Sequence, residues 1–311
     1  MLLGNFYREG PGAARIARSI ARHGLGMLTA VRSRMWRPVI ASIRPQDSRS
    51  DTEGLGIRSL ERIRGVASSM AVISPDDRVF ILTGAGVSAE SGIPTFRGVD
   101  GLWRDHRIEE VASPHAWRRD PRLVWEFYSM RRRVAAAAKP NPAHFALAKL
   151  ERTLGDRLFL CTQNVDDLHE QAGAKEVVHM HGELFRSRCD HCSRPPFRDT
   201  NTYDPPADLP RCACGGRIRP HICWFGETPF GLDRIFCALD ECTVFMAVGT
   251  SGVVEPAASF VAHVGGRART IYVGAEEPVN ASGFAECRLG KAGELLPGLL
   301  ASMPSVSGPP Q

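Results

Sequence analysis

The sequence predicts an α/β fold, a Rossmann-like parallel sheet with helices on both faces, joined to a small second domain. Three observations predict it. The apolar run Val79–Leu82 reads as a buried strand that stops at Gly84-Ala-Gly-Val-Ser-Ala89, giving strand, glycine turn and helix start in the order of the Gly-x-Gly-x-x-Gly/Ala dinucleotide fingerprint. Further short apolar runs, Leu158–Thr162, Thr243–Val248 and Thr270–Val273, each lead into small or polar residues, and ligands of open parallel sheets sit at such carboxyl ends. Two cysteine pairs, Cys189-x-x-Cys192 and Cys212-Ala-Cys214, with helix-forming sequence upstream of them, make the small domain zinc-binding and helical.

Length and charge bound the reading. The chain has 311 residues, of which 43% are hydrophobic, enough for one large domain or a large and a small one. No apolar run reaches membrane-spanning length. The net charge is +5, but residues 1 to 50 hold nine Arg and no Lys against Glu9 and Asp47, a local +7. The remainder therefore carries −2, which argues against a general nucleic-acid footprint in the folded part. Nine cysteines, four of them between 189 and 214, fit a reduced compartment and a metal site better than a disulfide framework.

Residues 1–68 read as a leader rich in Arg, Ala, Gly and Ser, with an amphipathic helix possible in composition over Ala13–Arg22. Two readings stay open: a mitochondrial-type transit peptide, or an unstructured leader upstream of a coding start at Met70, which the similar Arg- and Ala-rich style of the rest favours. The main domain is expected over 69–300. Its large part comprises about 69–104, 141–184 and 216–300, and its small part comes from insertions at about 105–140 and 185–215. Residues 301–311 form a tail.

At the first turn, Gly84 and Gly86 let the backbone turn tightly and approach a ligand, Ala89 keeps the next helix close to the sheet, and unpaired N–H groups at the helix start face a pyrophosphate. A plain glycine turn is the alternative. Gly92, Pro94 and Gly98 end that helix early, so a loop carrying Phe96 and Arg97 would cover the ligand. No acidic residue stands convincingly at the end of the second strand to hold ribose hydroxyls, which makes hydride transfer less attractive than chemistry that breaks the cofactor.

A helix is expected over Arg118–Ala136, with Val124, Phe127, Tyr128 and Met130 near one face. Tyr128 and Arg131 share a helix face by their spacing; alone, they read as a core aromatic beside a solvated Arg131-Arg-Arg133 run. Asn141-Pro-Ala-His144 opens another helix, and the strand Leu158–Thr162 ends in Gln163-Asn-Val-Asp166, where Asn164 and Asp166 could equally be turn residues. In Val177-Val-His-Met-His-Gly182, His179 and His181 alternate on one strand face, as structural residues, a metal pair or a base that titrates near neutral pH. The four cysteines, with Gly215-Gly216 behind the second pair, read as a closed four-thiolate zinc site, although that pair is one residue shorter than the usual knuckle. Such a site has no open position for chemistry.

The block Gly84-Ala-Gly-Val-Ser-Ala-Glu-Ser-Gly-Ile-Pro-Thr-Phe-Arg97 resembles the signature of the sirtuins, the NAD-dependent protein deacylases, and the likeness extends over about residues 70–300, closest to the bacterial CobB-type, class III members. The resemblance implies NAD as co-substrate. It assigns to NAD Gly84, Ala85, Gly86, Ala89, Glu90, Pro94, Thr95, Phe96, Arg97 and Trp103 from the first loop, and Gln163, Asn164, Val165 and Asp166 from the second. Gly249, Thr250, Ser251, Gly274, Ala275, Glu276 and Ala292 complete that set. His181 becomes the general base, with Asn164 ordering ribose and water, and His179 a structural neighbour. Tyr128 and Arg131 match the pair that binds the distal carboxylate of a succinyl or malonyl group. Arg219–Glu227 matches the strand that holds an acyl-lysine peptide, with Cys223, Trp224, Phe225 and Gly226 as substrate contacts and Cys223 where Val is usual. Gly274 stands where Asn is common, which leaves one adenosine-ribose contact missing or made by backbone.

The activity so implied is removal of acetyl and succinyl groups, with malonyl a further candidate, from lysine side chains of acylated proteins. The products are nicotinamide and O-acyl-ADP-ribose. The chain is expected in the cytoplasm, or in mitochondria if the leader is a transit peptide. Two rival functions remain at this stage: an NAD-dependent ADP-ribosyltransferase using the same site, and a zinc module that binds nucleic acid.

Overall fold

The computed structural model describes residues 73–95, 102–103, 106–204 and 208–301. The leader, the helix expected at 13–22, Phe96, Arg97 and all of the tail but Ala301 lie outside them. Among the described residues no helix is long and apolar enough to cross a membrane.

Strand β1 (Val79–Thr83) is buried along its whole length and alternates between two cores, as a strand covered on both faces must. Val79 and Ile81 point to one face, among Leu147, Leu150, Leu154 and Leu296. Phe80 and Leu82 point to the other, among Ile235, Leu239, Phe245 and Phe260. The helices that supply these partners are α4 (Pro142–Leu154) and α8 (Ala292–Ala301) on the first face, α6 (Leu232–Glu241) and α7 (Phe260–Val264) on the second. The remaining strands of this sheet are β4 (Leu158–Thr162), β5 (Val177–His179), β9 (Val244–Val248), β10 (Arg269–Gly274) and β11 (Glu286–Leu289). All pairings are parallel in the order β11-β10-β9-β1-β4-β5. Chain order thus reverses between β1 and β9, the place where a doubly wound sheet opens a crevice for a ligand.

Helix α1 (Ala85–Ala89) is as short as its glycines and proline require. It corrects one expectation: Ala89 is exposed, and Val87 is the residue that packs into the core beneath the helix. The single helix expected over Arg118–Ala136 is two, α2 (Pro114–Arg119) and α3 (Pro121–Ala137). Pro121 cannot supply an N–H to continue α2 but suits a first helical position, and the Asp120 carboxylate caps α3 by accepting from the N–H groups of Arg122 and Leu123, both at 3.0 Å. Asn141 caps α4 as expected, its side chain accepting from Ala143 N–H at 3.0 Å.

The small module is an antiparallel sheet of β7 (Phe197–Arg198), β6 (Gly182–Cys189) and β8 (Ile218–Ile222) against α2 and α3. Its core holds Trp117, Trp125, Phe127, Tyr128, Leu184, Ile218 and Trp224. Polar ends of these aromatics are satisfied inside: Trp125 Nε1–H donates to Ile218 O at 3.0 Å and Trp117 Nε1–H to Asp190 at 3.0 Å. Arg132 runs through the module, 1% exposed and paired at 3.2 Å with Asp199, 2% exposed. It also donates to the carbonyls of Leu184, Arg186 and Asn201 and to the Ser187 hydroxyl. The arginine run is therefore not one solvated face: Arg131 is half-buried, Arg132 buried, and Arg133 exposed beside Asp204.

Candidate functional site

The loops after β1, β4, β9 and β10 meet at the crevice, with β5 and β8 delivering their ends beside it. The loops after β1 and β9 touch directly. Gly84 N–H donates to Val248 O at 2.9 Å and Gly86 N–H to Gly249 O at 2.8 Å. A Cβ on Gly86 would stand 2.8 Å from Gly249 Cα, and one on Gly249, at φ +62, would stand 2.5 Å from Val87 N. The fingerprint glycines therefore bring two loops together first, and any approach to a ligand is built on that contact.

The loop after β4 carries the polar cluster. Gln163 donates from Nε2 to Thr250 Oγ1 at 3.1 Å, tying it to the β9 loop. Asn164 is buried and donates from Nδ2 to the Ser88 hydroxyl at 3.0 Å. Asp166 is also buried; desolvation raises its carboxyl, and the Leu168 N–H and the Ser88 hydroxyl offset that only in part. Ser88, buried on α1, is thus central to the cluster, and sequence reading missed it as one of several small residues in the loop. Val165 turns the other way, into the core of the small module.

The two histidines separate clearly. His179 Nδ1–H donates to Asn164 O at 3.1 Å and His181 Nδ1–H to Gln163 O at 3.1 Å; a carbonyl only accepts, so both rings carry hydrogen on Nδ1. At the far nitrogen they differ. His179 Nε2 meets the Glu170 carboxylate at 2.7 Å; burial disfavours its charge, but the bond to Glu170 and that carboxylate's field outweigh burial and raise its pKa. His181 Nε2 is buried with no hydrogen-bond partner, and desolvation lowers its pKa to about 4 despite the Gln163 carbonyl. His181 is a neutral imidazole with an uncommitted lone pair, and His179 is a clamp.

Tyr128 on α3 is 1% exposed, and burial raises its phenol above the usual range although Arg131 pulls the other way. The Arg131 guanidinium lies 5.9 Å from the centre of that ring. Burial works against its charge, while Tyr128 and then Asp166 support it. The segment after β8 is more committed than an open edge would be. Cys223 N–H donates to His181 O at 2.9 Å, Phe225 N–H to Ala112 O at 3.1 Å and Trp224 N–H to Glu227 at 2.8 Å. The donors of 223–225 are therefore already used, and Gly226 beside them is exposed at φ +91. The Cys223 thiol is pushed up to about 12 by burial and by Glu227, so it packs as a neutral group in place of Val.

Three further residues of that set also have structural roles. Glu90 accepts from Gly293 N–H at 3.0 Å and so caps α8. Ala292 is buried in the main core. Gly274 has no room for a side chain, because a Cβ there would lie 2.3 Å from the Tyr272 hydroxyl. That hydroxyl bridges Thr250 O at 3.1 Å and Glu276 O at 2.7 Å, tying the β9 and β10 loops. Ala275 and Glu276 are exposed, Ser251 half-buried and Thr250 buried; Ala85, Pro94 and Thr95 line the start of the first loop, partly or fully open. Trp103 is placed by its backbone in the short strand β2 (Leu102–Trp103), which pairs antiparallel with β3 (His106–Arg107).

In the small module the Sγ atoms of Cys189, Cys192, Cys212 and Cys214 lie within 4.8 Å of one another, the one cluster among the described residues that could hold a metal ion. The pairs Cys189–Cys214 and Cys192–Cys212 are 3.5 and 3.7 Å apart. Four thiolates around zinc at about 2.3 Å would sit about 3.8 Å apart on a tetrahedron's edges, so the shortened second pair fits. N–H groups of Cys192 and His191 point at Cys189 Sγ and lower that thiol to about 6. His191 is exposed and gives the cluster its backbone N–H.

Comparison with known proteins agrees with this geometry. The model of the Sir2 family matches residues 84–256. A Pasteurella multocida protein named NAD-dependent protein deacylase is 47% identical over 233 residues, covering 72% of this chain and 97% of its own. One of the same name from Caulobacter vibrioides is 49% identical over 224 residues, covering 71% and 94%. Among solved structures, a Sir2 homologue in complex with NAD superposes with a TM-score of 0.68 at 43% identity, over 73% of this chain and 90% of that one. A fold, a crevice and a cysteine cluster found independently thus coincide with the matched region, and the chain belongs to the Sir2 family.

Proposed function

We propose that the protein is an NAD-dependent protein-lysine deacylase that removes acetyl and succinyl groups, with malonyl a further candidate. The products are nicotinamide, O-acyl-ADP-ribose and free lysine. The observation that carries this reading is the pair of histidines: of two rings held alike by consecutive carbonyls, one has a neutral, unpartnered Nε2 beside the crevice. NAD supplies an electrophilic ribose carbon once nicotinamide leaves. The loops after β1, β9 and β10 would hold its phosphates and adenosine through backbone N–H groups and the side chains of Thr250 and Ser251. Gln163, Asn164 and Asp166, with Ser88 between the last two, would face the nicotinamide ribose. His181 Nε2 would take a proton from a ribose hydroxyl, and its Nδ1–H bond to the Gln163 carbonyl supports this by stabilising the resulting imidazolium.

The Tyr128 and Arg131 pair supports the acyl range, because a phenol kept protonated by burial and a guanidinium both donate to a carboxylate. The four cysteines fit zinc, with every position filled by thiolate, so the ion would hold β6 and β8 together and take no part in the reaction. All nine cysteines are free, which supports a reducing, cytoplasmic setting. Incubation with NAD and acetyl- or succinyl-lysine peptide, read by mass spectrometry, tests the reading. Deacylated peptide with equimolar nicotinamide and O-acyl-ADP-ribose is expected; ADP-ribosylated peptide with its acyl group intact would overturn it in favour of a transferase.

A further inference from the structure

Trp224 lies against Tyr128, and both its N–H and its ring face are engaged. Its indole N–H donates to the Tyr128 hydroxyl oxygen at 3.0 Å, both side chains being buried. The Arg219 guanidinium stacks on the indole, 3.3 Å from the ring centre. Arg219 in turn is pinned by Glu227 at 2.7 and 2.9 Å and by Ile222 O at 2.9 Å. Glu227 also accepts the Trp224 backbone N–H. One carboxylate therefore fixes the indole from its backbone and, through Arg219, from its face.

The bond to Tyr128 has a definite direction. An indole nitrogen can only donate, as can the Arg131 guanidinium that also bonds Tyr128, so the phenol oxygen accepts from both and its own hydrogen is left for another acceptor. Without the indole hydrogen the oxygen would keep only the Arg131 donor, and the hydroxyl could rotate away from its present direction. We propose that Trp224 is a positioning residue for acyl selectivity: by donating to Tyr128, it commits the phenolic hydrogen to the acyl pocket, where Tyr128 and Arg131 together grip a distal carboxylate. The inference rests on reading Tyr128 and Arg131 as that carboxylate site. Acetyl-lysine, with no such carboxylate, gains nothing from the arrangement.

The test compares kcat/KM for succinyl- and acetyl-lysine peptides in the zinc-loaded full chain, using Trp224→Phe and a chain carrying benzothienylalanine at 224. The second keeps the indole's shape without its N–H and serves if the Phe variant folds poorly. Loss of alignment in a hydrogen bond to a charged group should lower the succinyl-to-acetyl ratio about tenfold in both. In a Tyr128→Phe background the same replacement should change the ratio less than about twofold, since the two residues act as one unit. An unchanged ratio, or an equal fall with and without the Tyr128 hydroxyl, would overturn the inference. Arg131→Met measured in parallel separates the two claims. If it collapses the ratio while the Trp224 variants do not, only the positioning role fails; if it leaves the ratio intact, the carboxylate site itself fails.

Discussion

Arg132→Met should be among the most damaging single changes in the small module, although it sits between two arginines. The side chain and Asp199 are 1% and 2% exposed, so neither charge is screened by water. Met fills much of the same volume but leaves Asp199 with only the neutral donors of Ser187, Asn201 and Tyr203. The carbonyls of Leu184 and Arg186 lose a donor as well. Removing one partner of a buried pair costs about 3 to 5 kcal/mol. Arg133→Met breaks a pair whose side chains are 54% and 39% exposed, which is worth less than about 1 kcal/mol. Denaturant unfolding of the zinc-loaded protein, followed by tryptophan fluorescence, measures both. Replacing Arg132 and Asp199 together by apolar residues should recover part of the loss. A stability within about 1 kcal/mol of wild type for Arg132→Met would refute the claim that this arginine clamps the module.

His181→Ala should abolish deacylation while leaving zinc content and melting temperature near those of wild type; turnover close to wild type would remove it as the base. Elemental analysis should find one zinc per chain, and Cys214→Ser should release it and destabilise the module, because structural zinc contributes folding free energy directly. Acid should destabilise the protein in a particular window. Burial lowers His144 and His181 to about 4, so the unfolded chain binds protons that the fold excludes. Stability is then fully present above about 6.5 and falls as pH drops toward about 4, by about 3 kcal/mol for the fully buried His144 alone. A stability flat across that window by denaturant titration would show that these rings are not buried neutral. The acid limb of kcat/KM for His181 should also lie near 4 and not near 6.5.

The parts legible in sequence were those with local signals. The strand and glycine turn at 79–86, the cap at Asn141, the polar run 163–166 and the cysteine spacing each carry their chemistry within a few residues. What escaped depends on partners distant in the chain. Edge strand β11 is largely exposed, with Glu286 and Arg288 along it, so it lacks an apolar run to betray it. The difference between His179 and His181 is made by Glu170, on a neighbouring helical turn. Glu90 is a cap only because Gly293 arrives beside it from some two hundred residues further on. The three arginines after Met130 look alike on paper, and their fates diverge because successive helical positions lie over the Tyr128 ring, inside the small module and in water.

The hydroxyl of Tyr272 and the bare backbone of Gly274 also constrain how this chain could have changed. The two occupy one volume, so an Asn at 274 and a tyrosine hydroxyl at 272 exclude each other. The tyrosine hydroxyl is accommodated only beside a residue without a side chain, whereas the glycine makes no such demand of position 272. Placing a side chain at 274 would therefore displace the hydroxyl that joins the Thr250 and Glu276 carbonyls, so a change at one position is felt at both loops.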